Sequence, residues 1–333
     1  MKRREFIIKT SVTVGAGAAT VTAPQAASAS TRKRIAWVAT VTLERIEANT
    51  SEKMINSVIS RMKGTLKGKP DLVCLPETFI YNQVPNKPSP KEQAAKASEH
   101  LKPFQHFASE NNCYVVCPLL TEEDGRIYNS AVMIDRNGER LGAYHKMHPT
   151  TGELESGIMP GPKTPTVFQT DIGTIGAQIC FDINWQDGWQ KLSQAGANII
   201  VWPSAFPGGR MLNAMAWLTK AYVITATRPF PPRIIDMDGE DIDTGGRFEP
   251  FATAPINLEK AFIHIWPYTK QLDALKEKYG QSVRVKKYHL EDWATVESLS
   301  DELAVQDLLD EFEIPTHKQH IEIADKEQKK YES

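Results

Sequence analysis

Gly173-Thr174-Ile175-Gly176-Ala177-Gln178-Ile179-Cys180-Phe181-Asp182 reads as an apolar strand that runs out on a thiol. Two earlier stretches share the design. Leu72-Val73-Cys74-Leu75-Pro76-Glu77 is a short apolar strand ending on a carboxylate, and Gly142-Ala143-Tyr144-His145-Lys146 ends on an amine. In α/β folds, sites are built where strands run out. Taken singly, each residue has an ordinary reading: Glu77 as a surface cap, Lys146 as a solvated strand end, Cys180 as a core thiol, since cysteine is among the most often buried residues. Three in one chain call for another explanation.

Working outward, strands and helices alternate from residue 33 to about 260. Arg34 to Val41 reads as a strand. Thr50 to Leu66 is an amphipathic helix, with Met54, Ile55, Val58, Ile59, Met62 and Leu66 on one face and Ser51 or Thr50 as cap. Pro90 to Asn111 is a longer helical region. Tyr114 to Leu120, Tyr128 to Asp135 and Arg140 to Tyr144 form a meander, with turns at Asp124-Gly125 and Asn137-Gly138. Beyond Cys180 come a helix from Trp185 to Gln194, a strand from Asn198 to Trp202 and a helix from Met211 to Lys220. Strands at Tyr222 to Thr227 and Arg233 to Ile235 follow. Alternating β and α units with a parallel component specify a layered α/β domain. From Lys270 onward the chain turns charged and reads as a mostly helical extension, short of buried strands.

The 333 residues are 41% apolar and 24% charged, an ordinary globular composition. Residues 1–29 read as an export signal. Lys2-Arg3-Arg4-Glu5-Phe6-Ile7-Ile8-Lys9 is a basic region with paired arginines, a weakly apolar stretch follows, and Ala27-Ser28-Ala29 is a small-x-small cleavage site. The segment resembles a twin-arginine signal, with Lys2 standing where Ser or Thr is usual. Periplasmic or secreted localisation is therefore expected, without a membrane anchor after processing. Removing this segment takes away a net +3 from the formal charge of −2 and leaves about −5. A nucleic-acid partner, which needs a basic face, is not expected.

Four cysteines occur: Cys74, Cys113, Cys117 and Cys180. Cys113 and Cys117 lie four apart along a strand, about 13 Å and beyond disulfide reach, so both read as buried thiols, as does Cys74. The pairs His145/His148 and His317/His320 lack a third or fourth ligand nearby, so no metal is expected. No cofactor is expected either. Trp185, Trp189 and Trp202 suit a pocket wall or the core equally.

The order Glu77, Lys146, Cys180, the spacings of 69 and 34 residues, the strand before each, Pro160-Gly161, and Trp202-Pro203-Ser204 together resemble the nitrilase or carbon–nitrogen hydrolase superfamily over roughly residues 33 to 265. The resemblance implies a four-layer α-β-β-α sandwich, here residues 30–268, with 269–333 as the C-terminal extension. It also implies a Cys-Glu-Lys catalytic set acting on a small-molecule substrate. Cys180 is the nucleophile, Glu77 the general base, and Lys146 the charge that favours the thiolate and stabilises the oxyanion. A second glutamate often follows the lysine in such proteins. Glu153 is favoured over Glu155 as the substrate-positioning residue. The backbone N–H of Phe181 is the candidate second oxyanion donor, and Asp182 is expected to organise the turn through backbone hydrogen bonds.

An amidase acting on a linear amide or N-carbamoyl compound is the first reading. A nitrilase is the alternative; Phe181-Asp182 stands where that branch commonly has Trp-Glu, which favours amides. A catalytically silent exported binding or scaffold protein of the same fold is the reading from a different class. A homodimer or higher homo-oligomer is expected, with Trp189 and Leu192 supplying an apolar contact. Leu272, Leu275, Trp293, Leu299, Leu303, Leu308 and Leu309 of the extension are expected to be covered across it.

Overall fold

The computed structural model describes residues 33–332. The segment read as an export signal lies outside them.

The first sheet grows from β1 (Ile35–Val41), β2 (Leu72–Cys74) and β3 (Tyr114–Glu123), which run parallel. Strands β4 (Arg126–Ile134) and β5 (Arg140–His145) continue it antiparallel, and β12 (Phe251–Asn257) pairs antiparallel with β1 on the other edge. The second sheet has the parallel strands β7 (Gly173–Ala177), β8 (Ile199–Ser204) and β9 (Tyr222–Thr227) at its centre. Antiparallel β6 (Val167–Thr170), β10 (Arg233–Ile235) and β11 (Asp241–Thr244) flank them.

The sheets pack face to face because their strands are apolar on both sides. On β2 and its continuation, Leu72 and Cys74 face the second sheet, while Val73 and Leu75 face helices. On β8, Ile199 and Val201 face the first sheet, while Ile200 and Trp202 face the other way. This period of two with both faces covered explains why these strands read as continuous apolar runs.

Helices α1 (Ser51–Thr65), α2 (Pro90–Ala95) and α3 (Ala97–Asn111) belong to the first sheet's side, where α1 and α3 cover its outer face. The expected helix from Pro90 to Asn111 is thus two, divided at Lys96. Thr50 caps α1, accepting from the Lys53 N–H at 3.2 Å. The short α4 (Thr151–Glu155) follows the β5 end. Helices α5 (Gln186–Gln194) and α6 (Arg210–Thr219) cover the second sheet. The result is the expected α-β-β-α sandwich.

The C-terminal segment is mostly helical, as expected, but it is not short of strands. Besides α7 (Thr269–Tyr279), α8 (Val305–Glu311) and α9 (His317–Gln328), it contains β14 (Val283–Tyr288) and β15 (Trp293–Ser298). With β13 (Lys260–His264) they form an antiparallel three-stranded sheet, in the order β13-β15-β14. Arg284, Lys286 and Lys287 alternate with or follow Val283 and Val285, and their charge hides the strand in the sequence. Leu272, Leu275, Leu308 and Leu309 are buried against this sheet within one chain. Trp189 and Leu192 are likewise fully buried between α5 and the second sheet. These six side chains are not left to supply a contact between subunits, because each already gains roughly 1.5–3 kcal/mol by burial in its own core; of the rest of the expected set, Trp293 and Leu303 are partly buried and Leu299 is exposed.

Candidate active site

Strand direction brings the three reactive ends together. β5 is antiparallel to β4, and β4 to β3, so β5 runs with β2 and both end at one edge of the first sheet. Glu77 leaves from that edge after β2 and Lys146 after β5. Cys180 leaves from the end of β7 in the facing sheet. Glu77, Lys146, Glu153 and Cys180 all line one cleft of about 860 Å³.

Each is held by local chemistry. The Leu75 N–H donates to the Val116 carbonyl at 3.1 Å, carrying the ladder one residue past β2 before Pro76 ends it. Lys146 prolongs β5 by donating its N–H to the Asn129 carbonyl at 2.8 Å, and its own carbonyl accepts from the Gly161 N–H at 2.8 Å. Gly161 is required there, since a Cβ would collide with the His145 carbonyl. That contact is the physical content of Pro160-Gly161. Cys180 opens a tight 3-10 turn, Cys180–Asn184, with φ of 47°. This left-handed backbone costs of order 1–3 kcal/mol for a non-glycine residue, so its surroundings must impose it. They do: the Trp202 indole donates to the Cys180 carbonyl at 3.2 Å, and Asp182 accepts from the Ile179 N–H at 2.9 Å.

Asp182 reaches further than the expected turn. It is fully buried, accepts from the Tyr144 hydroxyl at 2.7 Å, and accepts from the His148 N–H at 2.8 Å. One carboxylate therefore ties the thiol turn in one sheet to the chain on either side of Lys146 in the other.

The Lys146 ammonium donates to Glu77 Oε1 at 2.9 Å and to Glu153 Oε2 at 2.8 Å. Burial works against its charge, but Glu77, Glu153 and Cys180 outweigh burial and hold its pKa above the usual lysine range. Glu153 is itself positioned by capping α4: it accepts from the Thr150 N–H at 2.8 Å. Burial opposes its ionisation, yet Lys146 and the hydrogen bonds it accepts from Thr150 and Asn129 keep it below its usual value. Glu155 is exposed, whereas Glu153 accepts from Lys146 in the cleft. Burial pushes the Cys180 thiol up to about 11, aided by Glu77; Lys146, the Ala205 backbone and Ser204 pull the other way.

Asn129 escaped the sequence reading. Its Nδ2 donates to Glu77 Oε1 at 2.8 Å and to Glu153 Oε1 at 2.7 Å, locking the two carboxylates into one array. A single amide inside the apolar strand Tyr128 to Ile134 was the available signal. Ser204 stood inside Trp202-Pro203-Ser204 without a role, and Arg228 was not singled out.

Phe181 turns its ring onto Trp185 at 5.2 Å, away from the cleft lining, which leaves only its backbone for the site. Trp189 and Trp202 are core residues, and Trp185 stacks on His148 at 4.1 Å. His145 pairs with Ser130 at 2.8 Å and Glu123 at 2.7 Å, and His148 with Asp182 at 3.0 Å. Cys74, Cys113 and Cys117 are buried free thiols, each raised by burial, Cys113 to about 12.

A family model described as "Carbon-nitrogen hydrolase" matches residues 18–261. The chain belongs to the carbon–nitrogen hydrolase family. A deaminated glutathione amidase of Synechocystis is 31% identical over 150 residues, 41% of this chain and 54% of that protein. An omega-amidase of Saccharomyces cerevisiae is 26% identical over 190 residues, 50% of this chain and 63% of its own length. This hydrolase thus spans a little over half of these curated relatives. In structure it is similar to an amidase from Nesterenkonia sp., with a TM-score of 0.60 at 16% identity, covering 67% of this chain and 90% of that one. A variant of that amidase is described with the acetamide moiety of fluoroacetamide covalently added at its active-site cysteine.

Proposed function

We propose that this carbon–nitrogen hydrolase is an amidase, cleaving a linear carboxamide or N-carbamoyl compound through a thioester on Cys180. The observation that carries the reading is the meeting of Cys180 with the Glu77–Lys146–Glu153 array in one cleft. With a pKa near 11 the resting thiol keeps its proton, so attack requires a base at the moment of reaction. Glu77 Oε1 holds both Asn129 and Lys146, leaving Oε2 as the oxygen for that proton.

Cys180 Sγ bonds to the carbonyl carbon as its proton passes to Glu77. Lys146 and the Phe181 N–H stabilise the oxyanion. The C–N bond breaks as Glu77 returns the proton to nitrogen, releasing ammonia or an amine. Water, deprotonated by Glu77, then attacks the thioester; the acid leaves and the thiol regains its proton. The covalent cysteine adduct described for the Nesterenkonia amidase supports a nucleophilic cysteine at this place in the fold.

The test is ammonia release from purified protein across amides, nitriles and ureido compounds, with Cys180→Ala as control. Amide turnover in the wild type and none in Cys180→Ala is expected; turnover of nitriles alone would replace the reading.

Export by the twin-arginine route is a second part of this proposal, supported by Arg3-Arg4, Phe6, Ile7-Ile8 and the Ala27-Ser28-Ala29 site. Arg3→Lys with Arg4→Lys should retain uncleaved precursor in the cytoplasm. The homodimer that the family resemblance implies is also proposed, through surfaces other than Trp189 and Leu192. A sedimentation mass of one 37.3 kDa chain would remove it.

A further inference from the structure

Helix α9 is held to the body of the chain by little. None of its 12 side chains is fully buried. His317, His320 and Ala324, spaced along one helical face, are its half-buried residues. Its own charges, Lys318, Glu322, Asp325, Lys326 and Glu327, are all exposed.

What the two histidines meet is a cluster of bases. The His317 ring lies edge-on to Trp293 of β15 at 4.3 Å, and His320 stacks on His264 of β13 at 4.8 Å. The Trp293 ring also carries Lys220 Nζ, from the C-cap of α6, at 3.7 Å. Tyr268, the N-cap of α7, places its hydroxyl 3.5 Å from His320 Nδ1, and Lys318 donates to the Gln194 carbonyl at the end of α5 at 3.4 Å. Three imidazoles and an amine thus gather from α9, β13 and α6. Among the described residues no carboxylate pairs with any of them, and none offsets burial at His317, His320 or Lys220.

A neutral imidazole packs well on such rings, but a protonated one needs a carboxylate or water. The attraction of the Trp293 ring for a cation is already taken by Lys220. We infer that α9 is an acid-released latch, closed over the Trp293 joint while His317 and His320 are neutral and let go when they take up protons. Burial, with Lys220, His264 and His320 beside it, holds the His317 pKa at about 4; burial and His264 also lower His320. Above the ordinary histidine value of 6.5 neither the docked nor the released helix binds these protons. Below it the released histidines bind them and the docked ones do not, so docking weakens as pH falls and levels off only near 4. Lys220 is charged below about 7, so each further proton arrives beside a cation. No residue of α9, β13 or β15 lines the catalytic cleft, so the inference is independent of the amidase reading.

Hydrogen exchange of the full chain tests this at pH 7.5 and pH 5, read by peptide mass and corrected for the intrinsic rate at each pH. Protection of the α9 peptide should fall at least about tenfold at pH 5, a value that allows for solvent screening of half-buried groups. The α8 peptide, with its buried Leu308 and Leu309, should keep its protection. His317→Gln with His320→Gln, neutral at both pH values, should abolish the difference. Where glutamine loosens α9 throughout, His317→Leu with His320→Leu restores apolar contact with the rings and gives the same comparison. Equal protection at both pH values in the wild type, an α9 already open at pH 7.5, or a loss shared with α8 overturns the inference. So does an acid loss that persists in either double variant.

Discussion

Lys146 in the cleft and Lys220 at the joint with the C-terminal sheet are both withdrawn from water, yet their surroundings drive them in opposite directions. Lys146 sits between Glu77 and Glu153, which hold it charged. Lys220 caps the end of α6 in a left-handed conformation and lies over the Trp293 ring at 3.7 Å, with Trp217 at 4.8 Å and Phe262 at 4.9 Å. It has aromatic faces but no carboxylate, and burial lowers its pKa to about 7. Burial alone does not make a lysine useful to catalysis. Partners decide which protonation state survives, and only the carboxylate array provides a permanent positive charge beside a thiol.

One substitution made at both sites sharpens this contrast. Lys146→Met leaves two carboxylates facing each other in a buried array, and should cost about 3–5 kcal/mol by denaturant titration. Amide turnover should also fall by about a thousandfold, since an oxyanion partner is lost.

Asp182→Asn tests whether the cleft depends on the tie between sheets as well as on its lysine. The amide cannot accept at both oxygens, so one of the bonds from Ile179, His148 and Tyr144 is lost, at about 1–3 kcal/mol in thermal melts. Turnover should drop more than stability accounts for, because the Cys180 turn loses its register to Lys146.

Lys220→Met should do the reverse of Lys146→Met. Below pH about 7 the folded and unfolded chains both hold the Lys220 proton, and the folded state bears the full cost of burying it. Between about 7 and the ordinary lysine value of 10.5 only the unfolded chain holds it, so this group makes stability rise with pH. Methionine keeps the aromatic contacts without the charge, and should raise stability by about 1–2 kcal/mol at pH 6, and by less at pH 9, after allowing for cation–π attraction and solvent screening. Destabilisation at pH 6 would mean that the aromatic faces outweigh the burial cost.

Much of this was legible in the sequence. Glu77, Lys146 and Cys180 stood at the ends of apolar strands, and strand ends are where a layered α/β fold exposes its side chains. Glu153 was legible by its interval from Lys146, and the structure adds that capping α4 is what aims it. What was hidden depends on pairing across space. Asn129 matters because β4 lies beside β5, and Arg228 because the end of β9 meets the Glu77 turn in the other sheet. No local pattern encodes either. Trp189 and Leu192 show the same limit: an amphipathic helix announces an apolar face but not whether its own sheet or a second copy covers it. In β14, Val283-Arg284-Val285-Lys286 alternates as a strand should, but Lys286-Lys287 breaks the period after four residues in a charged stretch, and pairing with β15 reveals the strand.

The claim that Cys180 forms a covalent acyl-enzyme is tested most directly by mass. The protein would be quenched during turnover of a slowly hydrolysed amide, weighed intact and mapped by peptide. The account predicts one added acyl group, on the peptide carrying Cys180, absent from Cys180→Ala, with Cys74, Cys113 and Cys117 unmodified. An acyl group on any other residue, or ammonia release at the wild-type rate from Cys180→Ala, would contradict it.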